Sequence, residues 1–254
     1  MILGKLIATL SYVTSLPVGK DSSSEDLISG LGKYLPIAGI VIGGLSCAAY
    51  VPLVLIQAPD FVGAAILTTV LIVLTGGLHL DGLMDTADGI CSHKERDIML
   101  EIMKDSRVGN FGAITGVLTI LLKTCALAAL FSLPVKAMAA LILIPCWARW
   151  TELYAIANFS YAREFGSGKI WHETTQKSDL IIGALIPLTV SVLLTTYDAF
   201  YVAALIPATI IPGVFAAHWL NSKIGGQTGD TYGAVVEVSE TIGLVCASCI
   251  AVYC

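Results

Sequence analysis

The stretch FVGAAILTTVLIVLTGGLHLDGLMDTADG, residues 61–89, decides how this chain is read. Residues 61–80 are predominantly apolar and as long as one crossing of a hydrocarbon core, which takes roughly 20 residues. The span ends in Asp81, Asp85 and Asp88. If the helix runs on past the membrane surface, the i, i+4, i+7 spacing puts all three carboxylates on one face. Carboxylates so placed repel one another, and a hard cation relieves the repulsion. Oxygen-only ligands favour magnesium, manganese or calcium over zinc. Gly76, Gly77, Gly82 and Gly89 thin the helix here, so a neighbouring helix or a bulky ligand can approach the backbone. The plainer alternative is a solvated acidic helix end, which would not need glycine on both sides. His79 points away from Asp81 around the helix, leaving helix packing and substrate contact equally open.

Composition sets the solvent. The chain has 254 residues, 56% of them hydrophobic and 13% charged, with a mean hydropathy of +0.83. Such a chain is far more apolar than a soluble protein of its length, so it is an integral membrane protein. The fold class expected is all-α: a polytopic bundle with seven membrane helices near 35–57, 61–80, 111–133, 137–159, 180–197, 199–220 and 234–253. Residues 1–16 are too short and polar to span and are read as an interfacial helix. Pro17 and the lack of a small-x-small site argue against a cleaved signal. With nine prolines and no linker composition, one helical domain over 1–254 is the simplest account.

Basic residues collect in cytoplasmic loops. With the N-terminus inside, Lys5, Lys20, Lys33, Lys94, Arg96, Lys104, Arg107, Arg163, Lys169, Lys177 and Lys223 all fall on the inner side and only Lys136 on the outer. The chemistry is therefore expected at the cytoplasmic face of a cell (plasma or inner) membrane. Cys47, Cys125, Cys146, Cys246, Cys249 and Cys254 sit in or at the ends of apolar spans and read as small hydrophobes. Nothing in the charge distribution points to nucleic acid.

Other polar groups stand out against this background. Lys104 and Arg107 could grip a diphosphate, or pair with Glu101 and Asp105 on a surface helix. KIGGQTGDTYGAVVEVSE at 223–240 places Asp230 after a glycine turn, with Glu237 and Glu240 inside the last span, where ionisable groups usually mark function. Its GGxxxD echoes residues 76–81, and chance is the favoured explanation of the echo. Arg149 and Glu152 either pair with each other or face a polar interior, and Arg149 could also reach a phosphate. Lys123, in mid-span, must face a cavity or an acid on another helix.

YLPIAG at 34–39, GGLHLDGLMDTADG at 76–89, EIMKDSRVGNFG at 101–112, YAR at 161–163 and GGQTGDTYGA at 225–234 together resemble the cobalamin synthase family, the adenosylcobinamide-GDP ribazoletransferases. Met84, Cys91 and Ser92 depart from the family's usual pattern without touching an acidic position. The resemblance implies a membrane enzyme joining adenosylcobinamide-GDP to α-ribazole, or α-ribazole 5′-phosphate, with release of GMP and with Mg2+ as cofactor. On this reading Asp81, Asp85 and Asp88 hold magnesium, with Asp230 and Glu237 completing the site or binding a second ion. Lys104 and Arg107 hold the diphosphate; His79, Arg149, Arg163 and Lys223 join them as expected substrate contacts. Asp88 or Glu240 takes the hydroxyl proton. A homo-oligomer, and tethering to other nucleotide-loop assembly enzymes, would suit a membrane location. Two rivals are a CDP-alcohol phosphotransferase, whose AR pair the DGLMDTADG string lacks, and a cation-coupled transporter, which would not concentrate acids and bases outside the spans on one side.

Overall fold

In a computed structural model that describes residues 2–18 and 30–253, eleven α-helices form and no strand appears among the described residues. Lys20 and Cys254 lie outside the described residues. In chain order the helices are α1 (Ile2–Val13), α2 (Leu35–Leu55), α3 (Asp60–Leu74), α4 (Leu78–Cys91), α5 (Arg96–Ile102), α6 (Asn110–Leu130), α7 (Pro134–Asn158), α8 (Lys169–Thr174), α9 (Lys177–Leu194), α10 (Ala199–Ile224) and α11 (Gly229–Ile250). By length and composition five qualify as membrane spans: α2 with the 3-10 turn before it, α6, α9, α10 and α11. The count is six if α3 and α4 form one broken span. The expected span at 137–159 forms as α7 but falls outside that set; Arg149 and Glu152 lie in its buried half.

The expected helix running straight from 61 past Asp88 is broken. Gly76 and Gly77 adopt φ of 60° and 74°, the left-handed region that costs a glycine nothing. Their amides bond back to Val73 O and Ile72 O, which closes α3 as a left-handed C-cap does. The chain restarts at Leu78 after a bend of 88°. Asp81, Asp85 and Asp88 all fall on α4, so their shared arc survives the break.

Between helices in lipid there is little hydrophobic drive, so close backbone packing matters. Gly39 and Gly43 seat α2 directly on α7: a Cβ at either would come within 2.4 Å of Pro145 O or Leu141 O. At one end of α6, Thr124 Oγ1 donates to Thr68 Oγ1 of α3 at 3.0 Å; at the other, α6 meets α4. An apolar band including Val117, Leu121, Ile181, Val192 and Ile211 remains exposed, as the outer surface of a membrane bundle requires. α1, at 12 residues, is too short to cross. Ser15 just beyond it donates its amide to Leu74 O at 2.8 Å, and Tyr12 lies 5.1 Å from Trp171 of α8 between ring centroids.

Candidate active site

The site forms where α4 crosses the N-terminal end of α11. Gly82 faces the Asp230 backbone and Gly233 faces the His79 backbone; a Cβ at Gly82 would lie 2.7 Å from Asp230 O, and one at Gly233 3.0 Å from His79 O. Two glycines thus bring the acidic faces of two helices together, as the glycine pattern around Asp81 implied. The start of α11 is fixed locally. Thr228 accepts from Thr231 N and donates its own amide to Thr231 Oγ1, a reciprocal cap that satisfies otherwise orphaned amides.

The preceding glycine turn is clipped to the loop at 160–163. Gln227 N donates to Ser160 O at 2.8 Å and Ala162 N to Gln227 O at 2.7 Å. A Cβ at Gly226 would sit 2.6 Å from Ser160 O, so only glycine passes there. This pairing sets Arg163 Nη2 2.7 Å from Asp230 Oδ2, with the arginine side chain 10% exposed. Burial pushes the Tyr161 phenol above its ordinary pKa, keeping it protonated beside this clip.

Asp85 feels the charges of Asp81, Asp230, Asp88 and Arg163. Four carboxylates therefore share one electrostatic neighbourhood with a single guanidinium. Asp81 is exposed and Asp85 and Asp88 are half-buried. Asp88 has a further role that the sequence did not disclose: its two oxygens accept the amides of Gly109 and Gly112, each at 2.8 Å. It caps α6 from a different helix, placing negative charge at the positive end of the helix dipole. Among the described residues no three His, Cys, Asp or Glu side chains converge tightly enough to enclose an ion. The hard oxygen donors of Asp81, Asp85 and Asp230, crowded and short of positive charge, nonetheless suit magnesium chemically.

Glu237 and Glu240 belong to a separate buried network. Lys123 Nζ lies 2.7 Å from Oε2 of both glutamates, and Arg149 Nη1 donates to Glu240 Oε1. Lys123 thus finds its acids on another helix, as its mid-span position required. Arg149, 1% exposed, turns to Glu240 and not to Glu152. Its Nη2 lies 3.5 Å from His79 Nδ1, while His79 Nε2 stands 3.9 Å from Glu152 Oε1.

The remaining expected contacts lie at the surface. Lys104 borders a depression shared with Arg96, Asp97, Glu101, Arg163 and Phe165. Arg107, whose side chain is 87% exposed, pairs with Asp105 at 2.6 Å and holds that carboxyl down at about 2. Lys223 Nζ sits over the Trp219 ring at 5.9 Å.

The chain matches the model of the cobalamin-5-phosphate synthase family over residues 5–248. It is 37% identical over 248 residues to a protein of Desulfitobacterium hafniense, covering 95% of each chain. It is 35% identical over 247 residues to one of Acetivibrio thermocellus, covering 96% of each. It is also 35% identical over 240 residues to one of Synechococcus elongatus, covering 94% of this chain and 93% of the relative. All three relatives are named adenosylcobinamide-GDP ribazoletransferase.

This chain belongs to the cobalamin-5-phosphate synthase family.

No solved structure matches it. Beside the aspartates lies a cavity of about 80 Å³. Its polar and aromatic lining comes from His79, Asp81, Glu152, Trp171, Asp230 and Tyr232 with Tyr12, and apolar and small residues complete the wall. Of these, Glu152 faces a polar interior, one of the two settings its sequence position left open, while Trp171 and Tyr232 were not singled out. Trp171 was hidden by a loop whose basic character had a sufficient topological explanation. Four buried polar atoms on the lining side chains have no hydrogen-bond partner: His79 Nε2, Glu152 Oε2, Trp171 Nε1 and Tyr232 Oη. Left unmatched, each would cost about 1–3 kcal/mol. Arg96, read from the sequence only as an inner-side charge, also shapes the site. Its Nε donates to Ile224 O at 2.7 Å and its Nη2 to Ala162 O at 2.9 Å, tying α5 to both segments that position Arg163.

Proposed function

We propose that this chain is the transferase that joins adenosylcobinamide-GDP to α-ribazole or its 5′-phosphate, releasing GMP, at the cytoplasmic face of a cell membrane. The observation that carries the reading is the meeting of the α4 aspartates with Asp230 and Arg163, at the edge of a cavity with unmatched hydrogen-bonding groups. A ribose hydroxyl attacks the phosphorus attached to the corrinoid, the bond from that phosphorus to the bridging oxygen breaks so that this oxygen leaves with GMP, and the hydroxyl proton passes to water. Little covalent work falls to the protein, so positioning and charge neutralisation dominate.

Asp81, Asp85 and Asp230 would hold the magnesium, with the Asp88 carboxylate fixing α4 against α6. When bound, the ion neutralises charge on the diphosphate oxygens. Arg163, oriented by Asp230, directs its guanidinium to the diphosphate. Lys104 borders the depression that Arg163 shares, and supports the GMP side. Glu237 and Glu240 stay with Lys123 and Arg149 as the frame behind the site. The excess of basic residues in the segments that contain the site supports the cytoplasmic orientation.

The test is release of GMP together with corrinoid product by purified protein in liposomes supplied with both substrates, with and without magnesium. Product that requires magnesium and vanishes in Asp81→Ala, with the thermal unfolding of the variant unchanged, is the expected result. A folded wild-type protein that forms no product under either condition overturns the proposal.

A further inference from the structure

We infer that the cavity beside Asp81 and Asp230 receives the ribose of the acceptor nucleoside, and that His79 and Glu152 together bind the hydroxyl next to the one that attacks. The inference rests on the transferase reading above and adds the acceptor's binding site to it.

The hydrogen-bonding pattern selects the ligand. A guanidinium can only donate, so the approach of Arg149 Nη2 to His79 Nδ1 at 3.5 Å makes Nδ1 the acceptor and leaves the ring proton on Nε2. That Nε2–H faces Glu152 Oε1 across 3.9 Å, too far for a direct hydrogen bond. His79 therefore offers a donor and Glu152 an acceptor, with a gap between them. A hydroxyl accepts from one and donates to the other. A carbonyl could not donate to Glu152, and a phosphate would meet its negative charge.

Burial makes this a built site. His79, Glu152, Trp171 and Tyr232 are 2%, 7%, 5% and 4% exposed, and each presents an unmatched polar atom. Native structures seldom leave such groups unsatisfied. Trp171 Nε1–H and Tyr232 Oη supply two further contacts, as a ligand with several oxygens requires. At about 80 Å³ the space exceeds the roughly 10–15 Å³ that one water needs on this measure, and it suits a sugar portion better than a whole nucleoside. The Tyr12 and Trp171 rings beside it offer a surface for the attached planar base. Asp81 and Asp230 line the same cavity, so a ribose held there presents its other vicinal hydroxyl to the aspartate group and the diphosphate.

The experiment compares α-ribazole with its analogue lacking the non-attacking vicinal hydroxyl, in wild type, Glu152→Ala and Glu152→Gln. A site built to bind a hydroxyl rejects the analogue strongly, so the wild-type kcat/KM ratio should be at least ~100. In Glu152→Ala it should collapse to within about threefold of unity, with the KM for adenosylcobinamide-GDP unchanged. Glu152→Gln retains an acceptor oxygen and should keep most of the discrimination. If Glu152→Ala does not fold, Trp171→Phe takes its place, with a raised acceptor KM and an unaltered donor KM expected. A wild type that turns over both acceptors equally, or folded variants that leave the ratio and the acceptor KM unaltered, overturns this inference and leaves the transferase intact. A folded wild type that makes no product overturns the transferase, and the inference with it.

Discussion

Replacing Lys123 by methionine would leave a cation-sized hole in the charge balance of the bundle. Lys123 Nζ stands 2.7 Å from both Glu237 and Glu240, and Arg149 holds the other oxygen of Glu240. Two cations and two carboxylates therefore cancel, all at 7% exposure or less. Lys123→Met keeps the aliphatic volume but leaves Glu237 without its counter-charge. Removing one partner of a buried ion pair costs about 3–5 kcal/mol, which at 1.4 kcal/mol per decade lowers the folded population ratio by more than about 100-fold. Adding Glu237→Gln returns the group to neutrality, because Arg149 and Glu240 still pair. The double variant should recover most of the loss. Unfolding by sodium dodecyl sulfate titration in mixed micelles, followed by circular dichroism, measures all four members of the cycle. A double variant no more stable than Lys123→Met, or a single variant as stable as wild type, would refute the reasoning.

Three further outcomes follow from the geometry. Asp88→Ala strips the acceptors from the Gly109 and Gly112 amides and should cost about 1–2 kcal/mol, the range of a lost cap. Asp88→Asn should fall between it and wild type in thermal unfolding, and an alanine variant at wild-type stability would contradict the capping role. Gly82→Ala forces a Cβ to within 2.7 Å of Asp230 O; overpacking of about 1–3 kcal/mol and slower GMP release are expected, and a variant unaltered in both would mean α4 and α11 can part freely. Arg163→Gln should reduce kcat/KM far more than Arg107→Gln, since Arg163 is only 10% exposed beside Asp230 while Arg107 points to solvent with Asp105; the reverse order in the GMP assay would move the diphosphate to the α5–α6 connection.

Helix content and the acidic face of α4 were legible because both depend on local spacing: apolar length for the first, the i, i+4, i+7 pattern for the second. The close approach at Gly82 was legible too, since a missing Cβ announces room for backbone. What stayed hidden depends on residues far apart in sequence or on dihedral angles. Gly76 and Gly77 read as thinning, but their positive φ values turn the chain by 88°; composition alone does not separate a tolerated helical glycine from a terminating one. Asp88 carries the right spacing for a ligand, and its capping of α6 could be known only once the Gly109 turn was seen beside it. Arg149 and Glu152 satisfy a helical pairing rule, yet Arg149 takes Glu240, 91 positions away, because the interior of the bundle lies in that direction. The α4 aspartates, Asp230 and Arg163 were found, while the neutral and aromatic side chains lining the cavity have no spacing by which to find them.

The Lys123 pairing also constrains the order in which the chain can be assembled. Translation proceeds from the N-terminus, so α6 reaches the bilayer before α11 has been made. Lys123 must then wait, 114 and 117 residues ahead of Glu237 and Glu240, as an unaccompanied charge in a setting where such charges are costly. Until α11 arrives, α6 has reason to remain loosely seated, near the translocon or the lipid headgroups. The docking of α11 is therefore an electrostatic step: it brings the neutralising acids, and with them the positions from which Asp230 and Tyr232 complete the site.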